Sequence, residues 1–221
     1  MDTIRVWLEP GYDHGRTGAW MLDWPGAFTW GTSREGAMAR VPSAVHRFVE
    51  WLDEHGDEAA TTGRVPAVAE VVDEVPTQRL DDGYQVMATF DADGRDVSDE
   101  ELRRHIDRMR YARADLLEII DGLQSLIGSG AELKLEDRDA QGLASGAAAG
   151  REIEEVLAHI AQTDAWFVSR LDASARYDGP RQDNVDAFLQ QSLEFLLARL
   201  TAIQAADPRA KRVAGRGETW T

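Results

Sequence analysis

Three long apolar stripes at helical spacing, one after another in the C-terminal half, constrain this chain more than anything else in it. Leu102, Ile106, Met109, Leu116, Ile119/Ile120, Leu123 and Leu126/Ile127 recur at mostly three- and four-residue steps. So do Ile153, Val156/Leu157, Ile160, Phe167 and Leu171, and then Val185, Phe188/Leu189, Ser192/Leu193, Leu196, Leu200 and Ile203. That period makes one side of a helix apolar, and the side must be buried against other helices. Ser98 followed by Glu101 predicts a capping box at the start of the first helix. Asn184 opens the third helix and Asp207-Pro208 stops it. Three stripes do not close a four-helix bundle. The groove they leave is on the order of several hundred Å², the size of patches that mark interaction sites. Further chain, the first half of the protein or a second copy would cover it, and a homodimer is the expectation.

The first half follows a different period. Residues 3–9 alternate Ile4, Val6 and Leu8 with Arg5, Trp7 and Glu9, the pattern of a half-buried strand. Residues 18–23 and 27–30 read as second and third strands. Thr32 with Glu35 predicts the start of a helix, whose stripe is Ala37/Met38, Val41, Ala44/Val45, Phe48/Val49 and Leu52, with Gly56 as its stop. Pro42 inside it predicts a kink or a restart. Two more strands are expected over 65–75 and 84–90. Asp91-Ala92-Asp93-Gly94 imitates a calcium loop, but its glycine comes two positions early and Leu102 stands where the bidentate glutamate belongs, so it reads as a turn. Residues 128–150 are Gly-rich without a Gly-Lys-Ser/Thr step and read as a connector. The expected fold class is α+β: a small antiparallel sheet with one packed helix over 1–95, then an all-α up-down helical bundle over 96–221.

Composition narrows the function. The 221 residues carry a net charge of −16. That charge repels phosphate backbones and anionic lipid, so neither nucleic acid nor a membrane is an expected partner. No apolar run approaches a membrane span, and Met1-Asp2-Thr3 opens no signal peptide. The absence of cysteine removes disulfides, thiolate ligands and cysteine nucleophiles, and the simplest compartment is cytoplasmic. No serine sits in a Gly-x-Ser-x-Gly elbow. Arg209, Lys211, Arg212 and Arg216 form a basic tail that reads as a solvated end or as intramolecular partners for the acidic body.

Two resemblances add to this reading. The run W-P-G-A-F-T-W-G-T-S-R-E-G-A, placed between three strands and a helix, resembles the HicB-like domain. It departs from that family at Ala27, where a cysteine is frequent, and at Gly36, where an acidic residue is expected. HicB-like domains are partner- or antitoxin-type modules with no catalytic set of their own. The run R-E-I-E-E-V-L-A-H-I-A-Q-T-D-A-W-F resembles the second helix of DinB-like bundles. By that resemblance His159 is the first of three metal ligands, and the other two belong to an H-x-x-x-H pair on the last helix. Gly217-Glu218-Thr219-Trp220-Thr221 resembles the lead-in to that helix, and nothing follows it in this chain, so two of the three ligands are not expected here.

The DinB-like resemblance implies a divalent metal (nickel or zinc) and a transferase or hydrolase acting on a small-molecule substrate, with a low-molecular-weight thiol as co-substrate. His159 would polarise a bound thiol or water through the metal. By spacing alone His159 lies at the margin of its stripe, at or beside a core, and the bland reading is a satisfied structural histidine. Asp164 and Asp115 are the carboxylates placed to substitute for missing ligands. His46 and His55, nine residues apart on one helix, project from opposite sides of it and cannot chelate together. His14 falls in a loop, and His105 on the first bundle helix is expected to face solvent. The alternative function is a non-catalytic interaction or regulatory module that works through the HicB-like domain and a dimerised bundle.

Overall fold

The computed structural model describes residues 3–57, 65–81, 83–128, 153–181, 184–206, 212–213 and 219–220. The chain divides into two units, Met1–Arg95 and Asp96–Thr221. In the first, strand β1 (Ile4–Gly11) leads through the single turn α1 (Tyr12–Gly15) into β2 (Arg16–Trp20), then β3 (Phe28–Gly31), helix α2 (Arg34–Glu54) and β4 (Ala69–Glu74). Gly11 (φ 83°), His14 (φ 57°) and Gly15 (φ 80°) give α1 its left-handed backbone, which returns the chain on itself in four residues.

The sheet order is β3-β2-β1-β4. Trp7 lies opposite Trp20 and Leu8 opposite Ala19 across the antiparallel β1–β2 pair, and Trp20 lies opposite Phe28 across β2–β3. The expected antiparallel sheet is corrected here, because β4 runs parallel to β1 and the sheet is mixed. Connectivity explains it. Two reversals leave β3 pointing the same way as β1, and α2 then carries the chain back across one face. The next strand therefore starts at the same end as β1 and joins its free edge.

Ile4, Val6, Leu8 and Ala19 from the sheet, with Met21 just past β2, pack against Ala37, Val41, Ala44 and Val45 from α2. Each fully buried valine, leucine, isoleucine or methionine side chain among them contributes roughly 1.5–3 kcal/mol, and the alanines contribute less. The helix begins one residue later than expected: Ser33, not Thr32, is the cap, its hydroxyl accepting from the Gly36 N–H at 3.1 Å. Nor does Pro42 force a restart, since α2 continues through it as one helix. Val41, Ala44 and Val45, buried on either side, hold the two halves to the same core and offset the missing hydrogen bond. Gly31 permits the tight β3–α2 corner, for a Cβ there would lie 2.3 Å from the Ala37 nitrogen.

The strand expected over 84–90 shrinks to β6 (Gln85–Val86), which pairs only with β5 (Gln78–Arg79) and stays outside the main sheet. Ala88 gives its N–H to a side chain and Phe90 turns into a buried position, so the extended run ends early. Asp91–Gly94 is a 3₁₀ turn, with the Phe90 N–H held by the Asp93 carboxylate at 2.8 Å.

The second unit holds α3 (Asp99–Gly128), α4 (Ile153–Leu171) and α5 (Val185–Ala206), with a two-stranded ribbon of β7 (Arg212–Val213) and β8 (Thr219–Trp220). Ser98 and Glu101 form the reciprocal capping box, the carboxylate accepting from the Ser98 N–H at 3.0 Å and the hydroxyl from the Glu101 N–H at 3.2 Å. Asn184 caps α5 by accepting from the Ala187 N–H at 3.1 Å. Ile120, Leu157, Ala161, Phe188 and Leu189 bring all three helices into one cluster. Ile106 packs with Leu193 and Leu197, and Val168 with Leu196. Among the described residues no helix is long and apolar enough to cross a membrane. Residues 129–150, Asp207-Pro208, and Arg209, Lys211 and Arg216 of the basic tail lie outside the described residues, as do the side chains of Leu123, Leu126, Ile127 and Ile153.

Candidate functional site

His159 is exposed. The expected position at or beside a core is corrected, and the reason is a rotation of α4 about its axis. Its buried side is Leu157, Ala158, Ala161 and Val168, whereas Val156 and Phe167 stay 43% and 38% exposed. The spacing in the sequence joined two apolar rows about 100° apart, one residue step around the helix. His159 borders the outer row. Its backbone carbonyl accepts from the Thr163 hydroxyl at 2.8 Å, an ordinary bond one turn along the helix.

The middle of the buried row is polar. Asp164, one turn beyond Ala161, is an ion-pair partner of Arg113 on α3 at 2.8 Å, the two side chains 13% and 9% exposed. The same Asp164 oxygen accepts from the hydroxyl of Ser192 on α5 at 2.7 Å, and Ser192 is fully buried. Arg113 donates a second time to the carbonyl of Leu189. One carboxylate and one guanidinium therefore tie α3, α4 and α5 at a single level. Tyr177 stacks on Phe188 at 5.5 Å and meets Phe195 edge-on at 5.5 Å. Burial raises its phenol pKa, and Asp164 adds to the rise.

Those geometries decide whether a divalent ion suits the residues present. Among the described residues no three His, Asp or Glu side chains come together. Asp164, the carboxylate expected to stand in for a ligand, already has a cation in Arg113 and a donor in Ser192. His46 is exposed beside Glu50 at 3.2 Å, and the His55 ring nitrogen Nδ1 lies 2.8 Å from the Trp51 carbonyl. Asp115 is half-buried on α3, His105 half-buried near its start, and His14 exposed in α1. The described residues do not fit the metal that the resemblance implies.

A second buried polar site lies in the first unit. Glu9 falls on the sheet face away from α2, and it is fully buried. Its Oε2 accepts from the Trp20 indole N–H at 3.0 Å. Oε1 accepts from the Thr77 hydroxyl at 2.7 Å and the Ala88 N–H at 2.8 Å. Trp20, Phe28 and Tyr12 pack beside it, with ring centroids 4.3 Å apart for Trp20–Phe28 and 5.2 Å for Tyr12–Phe28. Burial raises the Tyr12 phenol pKa, as do the charges of Asp13 and Glu9. The ring contacts are too close to admit a ligand between them.

The sequence carried a signal for one site and none for the other. Arg113 stands seven residues after Ile106 and seven before Ile120, in the gap between Met109 and Leu116, and a charge in such a gap faces a core. Glu9 looks like any outward position of an alternating strand. Its partners are 11, 68 and 79 residues away, and no local pattern announces them.

No family model, curated protein or solved structure matches this chain.

Proposed function

We propose that this chain is a non-catalytic interaction protein, a HicB-like sheet domain joined to a DinB-like helical unit, and that it works through surfaces offered to a second copy or another partner. One observation supports this reading above the others: the polar interior of the helical unit is a closed Arg113–Asp164–Ser192 clamp, while His159 sits outside with exposed Val156 and Phe167. A metal-dependent hydrolase or transferase needs several protein ligands around one open position. A guanidinium already bonded to the central carboxylate leaves none. Val156 and Phe167, exposed on the outer row of α4, are where a partner would rest on this helix.

Calorimetric titration with nickel and zinc tests the reading, with light scattering on the same sample. The expected result is no saturable binding of either ion and a dimer at micromolar protein. Tight binding that His159→Ala abolishes, in a protein that stays folded, overturns it in favour of a metal-dependent enzyme acting on a small molecule. A monomer removes the second copy as the partner.

A further inference from the structure

One polar layer interrupts the apolar interior of the helical unit. Among the described residues of this unit, Arg113 and Ser192 are the buried polar side chains, and Asp164, 13% exposed, joins them. Ile120, Leu157, Ala161 and Leu189 pack on one side of the layer. Ile106 with Leu193 and Leu197, and Val168 with Leu196, pack on the other. The charged pair also stands in rows that repeat every seven residues. Arg113 lies between Ile106 and Ile120 on α3, with Leu102, Met109 and Leu116 as the companion row. Asp164 lies between Leu157 and Leu171 on α4, with Ala161 and Val168 beside it. On both helices the row reads apolar, charged, apolar.

Seven residues make two helical turns, so rows repeating at that step pack almost as well after α3 is displaced by seven positions. Such a displacement, about 10 Å along the axis, would bring Ile120 to the place of Arg113 and Arg113 to the place of Ile106. Aliphatic rows scarcely distinguish the two alignments, but the charges do. In the displaced one the guanidinium meets Leu193 and Leu197 and the Asp164 carboxylate meets an isoleucine, so two charges lie inside without partners. We propose that the Arg113–Asp164 pair is the register key of the helical unit: it selects one alignment of α3 on α4 and α5, while the apolar rows supply the stability. A second bond from Arg113, to the Leu189 carbonyl, holds α5 to the same level. The key goes beyond the interaction reading and does not depend on it.

The chain has no cysteine, so Ala112→Cys on α3 and Asp186→Cys on α5, both at exposed positions, accept one spin label each in the full chain. The distance between the labels, read by pulsed electron paramagnetic resonance, reports the register. With the charged pair intact a single narrow distance is expected. Arg113→Met with Asp164→Leu removes the key without stranding a charge. This variant is expected to keep the parent's helical circular dichroism and to show a second distance, shifted by several ångströms toward the roughly 10 Å that seven residues span. Gln204→Ala removes another polar contact between α5 and the start of α3, made to the Val97 carbonyl and the Asp99 carboxylate at 3.0 Å each, and is expected to keep the single distance. A folded double variant with only the parent's distance overturns the proposal. Loss of the helical signal in that variant overturns it as well, because the pair then holds the unit together instead of aligning it. So does a second distance in Gln204→Ala, which would move the key to the start of α3.

Discussion

Glu9, fully buried in the sheet unit, and Asp164, 13% exposed in the helical unit, are two inward-turned carboxylates stabilised in opposite ways. Asp164 in the helical unit has a full positive charge beside it, whereas the donors that hold Glu9 in the sheet unit are all neutral. Backbone chemistry accounts for the contrast. Inside a helix every interior N–H is already committed to a carbonyl four residues back, so a buried acid between helices must find side-chain donors. A guanidinium, with five donors and a fixed charge, is the residue best suited to that task. A sheet unit has turns and strand ends with uncommitted N–H groups, and Ala88 supplies one directly. A carboxylate can then be buried against neutral donors, at the cost of drawing together segments far apart in sequence.

The contrast predicts unequal consequences when each site is broken. The largest loss is expected for Arg113→Ala, which strands Asp164 in the interior and should cost about 3–5 kcal/mol of the helical unit's stability. Urea unfolding followed by helical circular dichroism measures it. The double change Arg113→Met with Asp164→Leu should recover most of that loss, because a buried pair replaced by apolar groups is often neutral. If the double variant were as unstable as the single one, the clamp would be a matter of packing and not of charge.

Glu9→Gln is expected to cost less, roughly 1–3 kcal/mol, the cost of leaving a buried neutral donor unsatisfied. Thermal unfolding monitored through tryptophan emission reads it, and a loss as large as that of Arg113→Ala would erase the distinction between the sites. The smallest effect tests whether burial alone penalises a carboxylate in the sheet unit. Burial raises the Asp93 pKa above its ordinary 3.8, partly offset by the bond from the Phe90 N–H. A raised pKa means that the folded state holds its proton more tightly than the unfolded one. The resulting stabilisation is present below 3.8 and is lost as pH rises through the raised value. Asparagine keeps the acceptor and carries no charge, so Asp93→Asn should match the parent near pH 3 and be the more stable of the two at pH 7. Parallel melting curves across that range would contradict this.

Much of the scaffold could be read directly. The capping box at Ser98 and Glu101, the cap at Asn184 and the stripe from Ala37 to Leu52 all depend on residues within a few positions of one another, and all three stand in the structure. The clamp was half legible. Arg113, Asp164 and Ser192 each lie along or interrupt a stripe, but only the folded chain shows that the three positions coincide. His159 was misplaced because spacing gives a helix its apolar rows without saying which row a neighbour covers.

By itself, then, the order of residues determined that helices form along the apolar stripes and that Ser98 and Asn184 begin two of them, since hydrogen-bond geometry and the period of the backbone act over one or two turns. Tertiary structure alone decided that β4 joins β1 in parallel, that α4 turns Leu157 inward and His159 outward, and that Glu9 is buried. Those outcomes depend on which surfaces meet after long loops close, and the free energy of that meeting belongs to pairs of residues that no local window contains.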